Sequence, residues 1–125
     1  MKSFNRVMLI GHLAADPELR ETKKGNRVAN FPIAINRFVK DSAGQKTEAV
    51  DFHRVITWGG LAQISSDYLS KGQAVCVDGR LRNNSFEDKE GNKHYRTEVV
   101  ADDLSILTWK KSNTGNEVEI QAIDA

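Results

Sequence analysis

These 125 residues have one cysteine, no long apolar run and no recognisable catalytic spacing, and each lack excludes a class of protein. The lone Cys76 cannot form an intrachain disulfide, so a reducing compartment fits and the fold must rest on its core. It sits in the apolar run AVCVDG, where a buried thiol behaves as a small hydrophobe. No stretch approaches the ~18 apolar residues of a membrane span. The N-terminal MKSFNRVMLIGHLAADPE breaks its apolar segment at Gly11 and His12 and runs on into patterned sequence, so it reads as a strand and not a leader. A cytosolic protein is the expectation.

Catalytic constellations are also missing. His12, His53 and His94 fall in three different segments, with no H-x-E or C-x-x-C spacing, no Gly-x-Ser-x-Gly and no phosphate-cradling glycine loop. Asp102 and Asp103 have no partner carboxylates at defined spacing and read as solvated acids near a strand end. A non-catalytic protein that needs no cofactor or metal is therefore expected.

Bases are absent from the last 14 residues. The net charge of +1 divides into 18 bases against 14 acids through Lys111, a balance of +4, and three acids with no base over residues 112 to 125. A mildly basic body suits a polyanion, though so small an excess also suits ordinary solvation. The segment SNTGNEVEIQAIDA contains no base and no aromatic, which places a domain boundary near Lys111: a domain over residues 1–111 and a mildly acidic tail over 112–125. A composition of 39% hydrophobic and 28% charged residues is too apolar for a disordered chain, and one domain of this length buries about two thirds of its unfolded surface.

Within the body, short alternating segments recur: NRVMLIGHL at 5–13, RVANFPIAINRF at 27–38, EAVDFHRVITW at 48–58, QAVCVDGRLR at 73–82 and KHYRTEVVADDLSIL at 93–107. Between the third and fourth, Leu61, Ile64, Tyr68 and Leu69 recur at helical spacing, Gly59 and Gly60 turn the chain into a helix near Leu61, and Gly72 reads as its left-handed cap. Glycines at 11 and 79 mark places where a strand bends or bulges. Five strands with one short helix between strands three and four predict an all-β, five-stranded Greek-key barrel, the OB-fold order. VKDSAGQKT and FEDKEGNK read as long hairpin tips.

Aromatics and bases interleave around those tips. On the third strand Phe52, Arg54 and Trp58 share one parity, leaving His53 and Val55 to face the barrel interior or a subunit contact. Phe38 ends the preceding strand, and Phe86 and Tyr95 flank the second tip, with Arg37, Lys40, Arg80, Arg82, Lys93 and Arg96 among them. Splayed bases offer flat faces and the backbone offers one charge per nucleotide, so a groove for single-stranded nucleic acid must supply stacking rings and cations together. Core filling is the competing role for any one of these rings. Lys71 serves either the carbonyls at the helix end or a phosphate, and Trp109, beyond the last strand, is expected to pack against the barrel.

The segments FNRVMLIGHLAADPELR at 4–20, VANFPIAINR at 28–37, DFHRVITWGGLAQISSDYLSKGQAVCVDGRLR at 51–82 and EGNKHYRTEVVADDL at 90–104 together resemble the bacterial single-stranded-DNA-binding protein family. The resemblance covers about residues 3–107. It implies an OB-fold homotetramer that binds single-stranded DNA without sequence preference and protects it in replication, recombination and repair, in the cytoplasm at the nucleoid. Carried onto this sequence, the family's stacking rings fall on Phe38, Phe52, Trp58 and Phe86 and its backbone-contacting bases on Arg6, Arg54, Lys71 and Arg82. Phenylalanine where the family commonly has tryptophan keeps a π face of smaller area, so weaker stacking per site is expected. The family's acidic C-terminus closes in an Asp-Ile-Pro-Phe-like tip that recruits replication and repair proteins, and this sequence ends EVEIQAIDA without it. The alternative function is an OB-fold accessory or RNA-binding module.

Overall fold

The computed structural model describes residues 1–109, so the expected boundary near Lys111 and the tail 112–125 lie outside the described residues. Strands β1 (Val7–Leu13), β2 (Glu18–Glu21), β3 (Arg27–Lys40) and β4 (Lys46–Trp58) precede helix α1 (Gly59–Tyr68), and β5 (Ala74–Glu87) and β6 (Lys93–Ile106) follow it. The sheet runs β1-β5-β6-β4-β3-β2, and a second pairing of β1 with β3 closes five of these strands into a barrel. All pairings are antiparallel except β4 with β6. This is the expected OB-fold barrel, with its helix between the third and fourth barrel strands.

Alternation decides which face is core. Odd-numbered Phe31, Ile33, Val55, Val75, Val77, Val99 and Ala101 point inward and are buried, joined by Leu13 and by Leu69 just past the helix. Phe31 is the largest side chain with no exposure, and truncating such a ring costs about 3–5 kcal/mol. Two glycines allow the strands to approach: a Cβ on Gly11 would lie 2.4 Å from the Ala34 carbonyl oxygen, and one on Gly79 would lie 2.2 Å from that of Val100. The register of β5 against β6 shifts between Asp78 and Gly79, inserting Asp102 as an extra residue. Past that bulge the inward parity on β6 becomes even, which keeps Leu104 and Ile106 partly buried against the core.

The three hairpins share one turn. TKKGN at 22–26, DSAGQ at 41–45 and DKEGN at 88–92 each place a side-chain oxygen first and a glycine fourth. Gly25, Gly44 and Gly91 take φ of 86°, 81° and 84°, where a side chain is strained. In each, the first residue's carbonyl accepts from the glycine N–H and its side chain accepts from the fifth residue's N–H.

Several expectations are corrected. There are six strands, because ELRE at 18–21 pairs with the edge of β3; all four of its residues are exposed, so no alternation marks it. The helix starts at Gly59 and its cap, Leu69, has extended backbone, while Gly72, with φ 94°, serves a later turn and donates to the Leu13 carbonyl. Cys76 shares the outward parity of Asp78 and is half-buried, between the fully buried Val75 and Val77. Val55 is in the core, whereas His53 is exposed on this chain, which removes the barrel interior for it and leaves a subunit contact. Among the described residues no helix is long and apolar enough to cross a membrane.

Candidate nucleic-acid interface

If odd residues fill the barrel, even residues of β3, β4, β5 and the first part of β6 cover its outside. Register places Trp58 opposite Val28, Arg54 opposite Pro32, Phe52 opposite Ala34, Phe38 opposite Glu48 and Lys40 opposite Lys46, all on this face of the β3–β4 hairpin. The same face continues on the β5–β6 hairpin through Arg80, Arg82 and Phe86 of β5 and Glu98, Arg96 and His94 of β6, with Arg82 opposite Glu98 and Phe86 opposite His94. Phe38 and Phe52 are 70% and 64% exposed, Trp58 and Phe86 about 40%, far more than a core ring would be. Small neighbours explain part of this, since Ala34 has too little side chain to cover Phe52.

Phe86 does not stand alone. The His94 ring stacks on it with centroids 5.3 Å apart and planes at 23°, and the Arg96 guanidinium lies 4.9 Å from its centroid. His94 Nε2 is 2.8 Å from Asp88 Oδ2. That contact, with backbone donors of the turn, holds the Asp88 carboxyl below its usual range.

The cations divide into neutral pairs, one cluster and free lysines. Arg6 donates to both oxygens of Asp78 at 3.1 and 2.8 Å, which raises its guanidinium above the ordinary value through the hydrogen bond first and the charge second. Arg80 pairs with Asp102 at 2.6 Å, and Arg37 with Asp51 at 2.9 Å on the opposite, odd-numbered face. Arg54, Arg82 and Arg96 all converge on Glu98, which is 3% exposed. Lys40, Lys71 and Lys93 carry no ion pair among the described residues. The Lys71 backbone N–H is fixed by Asp16 at 2.8 Å, in the connection between α1 and β5. Tyr95 is 74% exposed but has odd parity, so it and Lys93, whose Nζ is 5.8 Å from its ring, occupy the reverse of the β5–β6 hairpin.

The structure thus brings Phe38, Phe52, Trp58 and Phe86 onto one outer surface with Lys40, Arg54, Arg80, Arg82 and Arg96, and leaves Arg37, Lys93 and Tyr95 on the other side. Sequence reasoning missed Lys46 and His94 on this surface. The hairpin register, legible from the turn motif, would have put Lys46 across from Lys40 and His94 across from Phe86. Trp109 meets Tyr68 of the helix edge-on, centroids 6.1 Å apart, and stays 58% exposed.

An OB-fold barrel with exposed rings and a surplus of guanidinium on one sheet face defines a binding protein for an extended, stackable polyanion. A model of the single-strand binding protein family matches residues 4–107. A single-stranded DNA-binding protein 1 of Chlorobaculum tepidum is 47% identical over 91% of this chain and 71% of its own length. The single-stranded DNA-binding protein of Staphylococcus aureus strain MRSA252 is 44% identical over 88% of this chain and 69% of its own. Among solved structures, the Plasmodium falciparum SSB complex with ssDNA superposes with a TM-score of 0.79 at 28% identity, covering 86% of this chain and 98% of that one. A deletion mutant of the single-stranded DNA binding protein from Thermus aquaticus gives 0.73 at 33% identity, covering 84% of this chain and 51% of that one. The chain belongs to the single-strand binding protein family.

Proposed function

We propose that this chain binds single-stranded DNA without sequence preference and shields it during replication, recombination and repair. One observation carries the reading: exposed Phe38, Phe52 and Trp58 share a sheet face with an arginine cluster of net positive charge. Bases stack on the rings, including Phe86, and phosphates meet Lys40, Arg54, Arg82 and Arg96. No base edge is read, so sequence is ignored. Binding and release require no bond to be made or broken, so the role is non-catalytic, and the working place is the cytoplasm at the nucleoid.

A homotetramer multiplies a groove that holds about 4–16 nucleotides per barrel. The outer face of β1 supports assembly: Met8 and Ile10 are 60% and 65% exposed, and β1 meets β3 only through His12 and Leu13, leaving the rest of that edge unpaired. Titrating tryptophan fluorescence with oligo-dT and with a duplex of equal length, at two salt concentrations, tests the function. Quenching by the single strand alone is expected, and equal response to the duplex would overturn it. A ribose oligomer in the same assay separates DNA from RNA preference.

A further inference from the structure

Glu98 gathers cations from three strands. Its Oε2 lies 3.2 Å from Arg54 Nε of β4 and 3.8 Å from Arg96 Nη1 of β6, and its Oε1 lies 3.2 Å from Arg82 Nη2 of β5. A carboxylate taken out of water needs a counter-charge, and one guanidinium would supply it. Three leave two positive charges in excess, gathered at one point. Elsewhere on the barrel Arg6 with Asp78 and Arg80 with Asp102 match charge for charge.

We propose that Glu98 is a positioning residue of the nucleic-acid face, holding Arg54, Arg82 and Arg96 as a preformed array that receives a backbone phosphate of the bound strand. The inference rests on the reading of this face as a single-stranded DNA groove. Each guanidinium carries five N–H donors in a rigid fork. Glu98 engages one nitrogen of each, and the side chains remain 38%, 43% and 41% exposed, so the other donors stay available. Arg96 is also fixed by the Phe86 ring. Arg54 Nε is buried against Glu98 at 3.2 Å without hydrogen-bond alignment, so charge and not a hydrogen bond ties it to the carboxylate. Arginines on a surface ordinarily lose rotamer freedom when a phosphate arrives; here the ordering is done before binding.

A second role for Glu98 is mere relief of repulsion among three like charges, and the two roles differ in sign. In the full chain, Glu98→Gln keeps the size and raises the net charge by one. If Glu98 positions the array, affinity for oligo-dT falls about tenfold, the scale of one charge-assisted hydrogen bond. The slope of log K against log salt also becomes shallower by about 0.7, one phosphate contact. Unchanged or tighter binding, or a steeper slope, overturns the proposal. Arg82→Lys, with Glu98 intact, keeps the charge and removes the fork; a similar loss is expected, and wild-type affinity overturns the proposal even if Glu98→Gln fails to fold. In a double-mutant cycle the cost of Arg82→Ala shrinks in the Glu98→Gln background, whereas strictly additive costs count against positioning. Failure of the wild-type chain to bind oligo-dT would defeat the underlying reading, and it is seen before any variant is made.

Discussion

Phe52 and Trp58 face the same way from β4 six residues apart, which separates their Cα atoms by about 20 Å at the rise of a strand. Arg54 and Ile56 occupy the positions between them, and Phe38, on the neighbouring strand, stands four residues beyond the Ala34 that faces Phe52. Rings so spaced do not hold neighbouring bases in one stack. They mark stations along a path on the sheet, with cations between stations, which suits a strand bound in extended form.

Trp58 is the largest of those stations. Trp58→Ala lowers affinity for single-stranded DNA by about 1–3 kcal/mol, the usual worth of a stacked base. Its 40% exposure and the lack of any side-chain cap from it to the helix mean the fold survives. Anisotropy of a labelled oligo-dT reads the affinity, and urea unfolding reads the stability. A large fall in the urea midpoint would make Trp58 a packing residue.

Gly79 is the position least able to accept a side chain. A Cβ there would meet the Val100 carbonyl oxygen at 2.2 Å and the Ala101 Cα at 3.1 Å, backbone atoms that cannot swing aside. Gly79→Ala therefore destabilises the barrel by about 1–3 kcal/mol or more, as overpacking does, with the loss seen in the urea midpoint. Gly44→Ala, with nothing within 4 Å but φ of 81°, tests strain without crowding at a hairpin tip. Its cost is expected to be smaller, about 1 kcal/mol.

The barrel was legible because its core strands are half-buried and alternate: Phe31, Ile33, Val55, Val75 and Val77 announce their own face. The exposed rings of the proposed groove were legible for the converse reason, since Phe52 and Trp58 stand on the parity that does not fill the core. What could not be seen depends on partners. ELRE becomes a strand only because β3 offers it an edge, and Glu98 looks like any strand acid until β4 and β5 bring Arg54 and Arg82 to it. Parity also changes at the β6 bulge, where one inserted residue exchanges inside for outside. Tyr95 and Phe86 flank the same tip in sequence, yet the register gives them opposite faces of one hairpin.

The second hairpin tip is sensitive to acid. Asp88 accepts from the backbone N–H of Glu90 and of Asn92 and contacts His94, and its carboxyl is held below its ordinary value, by His94 first. A carboxyl depressed in the folded state contributes stability above its unfolded value, lost as pH falls through the folded one. The tip is therefore expected to stay ordered through neutral pH and to loosen below the usual carboxylate range of about 4. Amide exchange at Glu90 and Asn92 should quicken there. Asp88→Asn should remove most of that pH dependence; if it persists, another group controls the turn.

Salt dependence separates cations that meet DNA from cations already matched. Lys40 has no ion pair among the described residues and shares its face with Phe38, so Lys40→Gln should reduce the magnitude of the salt slope by about 0.7. Arg6 and Asp78 form a two-bond pair, so the combined Arg6→Gln and Asp78→Asn variant removes both charges and leaves the net charge as it was. Its slope is expected to match wild type. If the double variant loses as much slope as Lys40→Gln, Arg6 opens its pair to reach a phosphate, and the groove extends around the barrel to β1.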